Sequence, residues 1–406
     1  MSEPDWLVKL RGHAEKYFSE LPLEKSKYTT LKLDFDSILK QRTNPQAQLP
    51  ANVSALAEDG SRIIIVQLND KAVRINLPQS LKKKGVILCS FEEALTKHSA
   101  LIEDFFRNRI IKPEESKLAA FNYAYLSSGV FLYVPDSVKI NKPIYHILAL
   151  DGGSTITQTI IIAGKNSRFT FVEEDYSTNK EAFHSSLIEL HLDEDAVVSF
   201  VAIQDFSQHV TSIVNKKARV EKGASINWIL GQLGSGLSKA RRDTLLVGQD
   251  ASVSDIEVFF GRNSQYFDIT SNIFHKVSHT KADVLVKGVL RDRARSISQG
   301  TIRVEKGAQK TDSFLAEHTM MLDKAARSDA IPSLEIEAND VRATHSASVS
   351  RIDEEQVFYL VSKGIGESEA RKLIALGFLE SAFQKIRLEE VIDRFKTLIE
   401  EKWENK

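Results

Sequence analysis

The 406-residue chain has a single cysteine, Cys89. No disulfide can close within it, and no cysteine-rich metal site can be built from this chain alone. A reducing compartment fits that usage, and a cytoplasmic location is expected. Excess charge of one sign is also missing: 54 Lys and Arg face 55 Asp and Glu, a formal net charge of -1. That balance gives no electrostatic case for nucleic acid or an anionic membrane as partner. Apolar runs such as "IYHILAL" from Ile144 are too short to cross a bilayer. The opening "MSEPDWLVKLRGHAEK" is charged and lacks the apolar stretch of a signal peptide. No GxSxG elbow occurs. The glycine-rich "GQLGSG" at 231–236 lacks the GxxxxGK[ST] order and precedes no helix, so it is expected to be a loop between structural units.

What is present divides the chain into three parts. Residues 1–128 read as mostly helical with some strand. Trp6, Leu7, Leu10, Ala14 and Phe18 recur at helical spacing, with Ser2 as a possible cap and Leu21-Pro22 as the stop. "SRIIIVQLN" (61–69) reads as strand. "SFEEALTKHSALIEDFFRN" reads as one helix started by Ser90, and "ESKLAAFNYAYL" from Glu115 as another. Residues 129–350 are β-branched, alternating, and punctuated by Gly, Asn and Asp, without a convincing amphipathic helix.

Repetition explains that texture. "RVEKGA" occurs at 219–224 and again at 303–308. Looser copies align Ala196, Ala224, Ala251, Ala282, Ala308 and Ala338, at separations of 28, 27, 31, 26 and 30 residues. A small residue at fixed phase suits a tight corner between strands, and each coil leaves an apolar row that only the next coil can bury. The reading is a mainly β chain with a parallel β-helix at its centre. An antiparallel sandwich with similar turns is the alternative. Residues 351–406 return to helical periodicity in three segments. Asp353-Glu354-Glu355 starts the first, with Val357, Phe358, Leu360 and Val361 as its apolar face, and Gly364-Ile365-Gly366 ends it. Ser368 is the expected cap of the second. These faces are expected to close the open end of the β-helix, or to bind a partner.

Ten histidines offer candidate ligands. His275 and His279 read as one strand, where i and i+4 lie about 13 Å apart, too far for one shared ion; a solvated face is expected for both. His318 and His345 draw more interest, because both fall near the last coils, with Glu317 as a further weak candidate. His345 sits in "VRATHSASVS" and is expected at a coil corner. The acids at equivalent corners, such as Asp193-Glu194-Asp195, look like turn chemistry rather than sugar-cleaving pairs. Trp228 is the only tryptophan in the repeat region, which argues against a glycan groove.

The stretch "PSLEIEANDVRATHSASVSRIDEEQVFYLVSKGI" resembles the SufB/SufD family of the Suf iron–sulfur cluster assembly system. Pro332, Leu334-Glu335-Ile336, Asp340-Val341, His345, Ala347, Phe358-Tyr359-Leu360, Gly364-Ile365, Arg371, Leu373 and Phe378 carry the pattern. "FNYAYLSSGVFLYVPDSVKINKPI" from Phe121 is similar to the start of the family's β-helix. The resemblance implies a right-handed parallel β-helix flanked by an N-terminal α/β region and C-terminal helices. It also implies no enzyme activity, a SufB-like paralogue as partner, and an ABC-type ATPase, SufC-like, docked on the C-terminal helices. Phe358, Tyr359, Leu360, Gly364, Ile365, Arg371, Leu373 and Phe378 are the implied docking residues. The SufD-like branch is the better match, since the SufB-type cysteine and carboxylate near the histidine are missing: Thr344 and Ser346 flank His345. Ala343 and Ser346 also replace a cysteine and a glycine of the SufD-like pattern. Thiolate is the usual ligand of cluster iron. The chain is therefore expected to hold no cofactor alone, and to offer His345 to a cluster at a heteromeric interface. Self-pairing as a homodimer in isolation stays open. The alternatives are a polysaccharide-acting β-helix enzyme and a SufB-type scaffold working as a homodimer.

Overall fold

The computed structural model describes residues 3–24, 31–41 and 46–404. Ser2, the candidate cap, lies outside them. The first helix runs Asp5–Glu20 and buries Leu7, Leu10 and Ala14, with Pro4 at its N-cap. The stretch from Ser90 forms two helices instead of one, Phe91–Lys97 and Ser99–Arg107, broken at His98. Ser90 still caps the first, accepting the Glu93 N–H. Separate docking of Phe91 and of Ile102, Phe105 and Phe106 into one apolar cluster rewards the break.

Successive strands from Ser128 onward alternate between two sheets, one of ten strands and one of nine. From Gly153 onward each strand pairs in parallel with the strand two before it in the chain, so the backbone winds as a β-solenoid of about eight turns. The antiparallel sandwich is excluded by that pairing. Among the described residues, antiparallel pairs occur only at the N-terminal end, where Ile63–Leu68 meets Lys71–Asn76 and Ile87–Ser90 meets Ser128–Val134. Ile63–Leu68 also pairs in parallel with Ile144–Leu150, so the N-terminal region extends the same sheet.

The corners explain the repeat. Asn166, Asp195, Gly223, Asp250, His279 and Lys310 each adopt positive φ, and all but the glycine stand between 55° and 63°. The next residue is small and buried: Ser167, Ala196, Ala224, Ala251, Thr280 and Thr311. Asn, Asp and Gly tolerate the left-handed turn, and the small residue lets coils stack. The sequence phasing is therefore corrected in the last coils. Thr280 takes the corner, while Ala282 lies within the strand Lys281–Leu290, paired with Val253. After Ala308 the corner continues through Gln309, Lys310 and Thr311 before the strand Asp312–Met321 begins.

Inside the solenoid, the main core joins Phe171, Phe200, Trp228, Phe259 and Phe267. The C-terminal helices do not close its end. They lie along the outside of the ten-stranded sheet, where Ile229, Val258, Phe260 and Leu285 meet Ala375, Leu379, Phe383 and Phe395. Gly231 and Gln232, from the glycine-rich stretch, are the last two residues of the strand Ser225–Gln232. A Cβ on Gly231 would stand 2.1 Å from Phe395 Cε1, so close helix approach requires glycine. The loop expected over 231–236 is confined to residues 233–236.

Candidate functional site

Side chains on one face of a strand recur every second residue, and parallel in-register neighbours share a face. Register therefore decides what each candidate faces. His345 lies mid-strand in Arg342–Arg351, so the corner expected for it is corrected. Its register partner is Leu315, a buried core residue, which puts His345 on the inner face of the last, open coil, where it is exposed. His318 pairs with Ser348 on the opposite face. Its Nδ1 is 2.7 Å from Ser348 Oγ. Partial burial, then the nearby Lys287 cation, lowers its pKa. The two histidines are near in sequence and stand on opposite sides of one sheet.

Glu317 shares the inner face with His345 and pairs with Ala347. It is 1% exposed, and neither carboxylate oxygen makes a hydrogen bond of normal length and angle within the protein, although the Ser298 hydroxyl and the Ile331 N–H stand near it. Burial pushes its pKa up to about 7, against the weaker pull of Ser298 and the Ile331 N–H. Among the described residues, no group of three or more His, Cys, Asp and Glu side chains is placed to hold a metal ion. Cys89 is buried, and that burial pushes its thiol up to about 12, so it is no ready thiolate. His275 is buried too, with Nδ1 2.7 Å from Thr280 Oγ1 and Nε2 3.2 Å from Ser313 Oγ. The solvated face expected for it is corrected. His279 lies beyond the strand in an exposed corner.

Sequence reasoning missed the charges inside the solenoid. Arg242 Nε donates to Asp255 at 2.7 Å and its Nη1 to Glu257 at 2.8 Å, all three buried. Burial opposes the Arg242 charge, but Asp255 and Glu257 outweigh it and raise its pKa. Burial also raises Glu257, against the pull of Arg242. Farther toward the N-terminal end, Lys216 Nζ donates to Glu173 at 3.3 Å. The one signal in sequence was charge at alternate strand positions whose neighbours in phase are core residues.

The C-terminal hairpin forms a second candidate surface. Asp353 caps the helix Glu354–Ser362 by accepting from the Glu355 and Gln356 N–H groups. Val357 packs inward with Leu360 and Ile365, whereas Phe358 and Tyr359 are 75% and 59% exposed. The apolar face expected of this helix is thus split: Phe358 and Val361 point outward. Gly364, at φ 91°, ends the helix. The next helix, Glu367–Phe383, has Gly366 at its N-cap, not Ser368. Leu373 is 44% exposed beside it. Phe378 is half-buried under Lys287, whose Nζ lies 4.2 Å from the ring centre and donates to the Phe378 carbonyl at 2.7 Å. Arg371 is engaged within the chain, with Glu354 at 2.8 Å and Glu367 at 3.1 Å, and so braces the two helices.

This architecture has relatives. The family model for the SUF system FeS cluster assembly SufBD core domain matches residues 146–378. The SufBD protein N-terminal region matches residues 9–145. The chain belongs to the SufBD family. Among SufBD relatives, the iron-sulfur cluster assembly protein SufD of Bacillus subtilis is 32% identical, over 98% of this chain and 94% of its own length. An iron-sulfur cluster assembly SufBD family protein of Staphylococcus epidermidis is 27% identical, over 96% of this chain and 88% of its own. A Staphylococcus aureus relative of the same description is also 27% identical. Family membership and the parallel solenoid agree with the resemblance read from residues 332–378.

Proposed function

We propose that this chain is a SufD-like assembly subunit that pairs with a SufB-like paralogue and docks a SufC-like ATPase. The carrying observation is the last strand, Arg342–Arg351, which ends the ten-stranded sheet with one edge unpaired and His345 exposed on its inner side. An uncovered edge strand is a template for another β-structure. A second β-helix joined there would bring its own side chains beside His345. Imidazole suits iron, and the missing thiolates would come from the partner. The growing cluster is cargo of this seam, not a resident group of the isolated chain. Docking of the ATPase falls to Phe358, Tyr359 and Leu373, the exposed apolar members of the hairpin. Leu360, Ile365 and Phe378 support that surface from beneath, Gly364 sets its turn, and Arg371 braces it. The subunit acts in the cytoplasm and performs no catalysis itself.

The polysaccharide reading loses its groove, because Asp255, Glu257 and Glu317 are enclosed in the lumen. A self-sufficient scaffold lacks a reactive thiolate, since Cys89 is buried far from the open coil. A second copy could occupy the same edge when the paralogue is absent, which makes a homodimer the resting alternative.

Co-expression tests the pairing. The chain should co-purify with SufB-like and SufC-like proteins from one host, and isolation as a single species under those conditions sinks the proposal. In vivo cluster assembly with His345→Ala, His318→Ala and both together tests the site. His345→Ala is expected to impair assembly and His318→Ala to leave it near normal. Full assembly in all three would reduce the subunit to architecture.

A further inference from the structure

The stretch from Lys71 to Phe91 holds Lys71, Arg74, Lys82, Lys83 and Lys84 and no Asp or Glu, in a chain whose charges otherwise balance. Surface cations elsewhere find carboxylates, as Lys165 finds Glu194 at 3.2 Å. Among the described residues, none of these five makes an ion pair, and Arg74 donates only to the Glu58 carbonyl, at 3.5 Å. Asp59, next in sequence to Glu58, is already held by Arg62 at 3.0 Å. Topology gathers the five cations at one end of the solenoid. Lys71–Asn76 is the N-terminal edge strand of the ten-stranded sheet, and Ile87–Ser90 is the edge strand of the nine-stranded sheet at the same end. The helical turn Gln79–Lys82 links one edge to the other. Lys82 follows Asn76 by six residues, a separation of at most about 20 Å. On the first of these edges, Val73 and Ile75 are 49% and 39% exposed.

We propose that the free edge of Lys71–Asn76 docks an acidic, extended segment of a partner protein as an added strand, with Lys82, Lys83 and Lys84 receiving its carboxylates. An uncovered edge offers backbone donors and acceptors for strand addition, and exposed apolar side chains give the incoming strand something to pack on. Lysine on an edge opposes pairing with like or neutral strands. A strand carrying Asp or Glu turns that opposition into attraction, which fixes the sign of the partner. Two copies of this chain are thereby kept from joining through this edge, since five cations would meet five. A nucleic acid would use the charge but leave the backbone edge, Val73 and Ile75 idle. Val73 has no register partner in Ile63–Leu68, and that bulge bends the strand, so the added segment is short. The edge lies at the opposite end of the ten-stranded sheet from Arg342–Arg351, so failure here would leave the pairing proposal standing.

Fluorescence anisotropy of a labelled peptide of alternating Glu and Val, titrated with the full chain, gives the test. Saturable binding is expected. Lys82→Glu, Lys83→Glu and Lys84→Glu together should weaken it about tenfold or more. The same peptide N-methylated at alternate residues keeps its charge and loses a row of donors, and should also bind about tenfold more weakly. Amide hydrogen exchange should slow within Lys71–Asn76 when the unmodified peptide binds. Equal binding of the N-methylated peptide overturns the proposal, because charge alone would then be acting. So does tighter binding of a single-stranded oligonucleotide or of phosphatidylserine vesicles, slowed exchange elsewhere but not in this strand, or no saturation below about 1 mM peptide. The three lysines are exposed, so the triple variant is expected to fold. Should it not, the N-methylated peptide and the exchange pattern of the wild-type chain still decide.

Discussion

Glu257 in the middle coils and Glu317 near the open end occupy the same inner row of the same sheet. One faces an arginine across the lumen and the other a glycine. The middle coils can carry an enclosed ion network because sheet lies above and below it. There, Ser271 adds a further hydrogen bond to Asp255 at 2.7 Å. The last coil has one strand left to cover it, and beyond that strand the edge is free. Interior carboxylates therefore meet a cation in the middle coils and none where the solenoid opens. The difference marks the middle as architecture, and under the proposed pairing the open end is where a partner would join.

Breaking the compensated network should have the largest effect. Arg242→Met leaves Asp255 and Glu257 without their cation, and is expected to cost about 3–5 kcal/mol of stability. Denaturant unfolding followed by circular dichroism reads this directly; a loss under about 1 kcal/mol would show that the network relaxes freely.

Next comes pH. Glu317 ionises near 7 in the folded chain, above its ordinary 4.5. The folded state therefore binds more protons than the unfolded state between those values. Its contribution is fully present below about 4.5 and is lost as pH rises through about 7, on the order of 3 kcal/mol. His275 has the opposite sign: burial lowers its pKa to about 4, so its contribution is present above 6.5 and lost as pH falls through about 4. Unfolding curves across that range should lose the Glu317 slope in Glu317→Gln while keeping the His275 slope. An unchanged profile would remove the contrast between the two coils.

The outer surface gives a smaller effect. Phe358→Asp should weaken ATPase docking by about 2 kcal/mol, roughly 30-fold, while leaving the chain's own stability nearly unchanged. Titration calorimetry with the SufC-like partner checks it, and equal affinity would move the docking surface elsewhere. Smallest of all, His345→Ala should shift unfolding by less than about 0.5 kcal/mol, because the side chain is exposed. A larger shift would make His345 a structural residue.

Legibility in the sequence followed physical locality. The repeat was visible because a left-handed corner followed by a small residue is a local demand, met at Asp195-Ala196 and Gly223-Ala224. It blurred where Thr280 and Thr311 took over from alanine and the last corners lengthened. The helices after residue 353 were readable by period, but period alone could not say which face meets the sheet. Phe358 and Val361 read as buried for that reason. The lumen network stayed hidden because Arg242 meets Asp255 and Glu257 only through the return of the chain across a corner. His318 and His345 were separable only by register.

The sequence by itself determined the family, the coil repeat and the helical ends, since each rests on local patterns of small, apolar and turn-forming residues. Tertiary structure alone decided that His345 faces inward at an open edge, that His318 faces away, and that Glu317 is enclosed without a cation. Those facts depend on which residue of one coil lies over which residue of the next. Coils about 28 residues apart set that pairing through strand register, and a shift of one residue would turn every side chain to the other face.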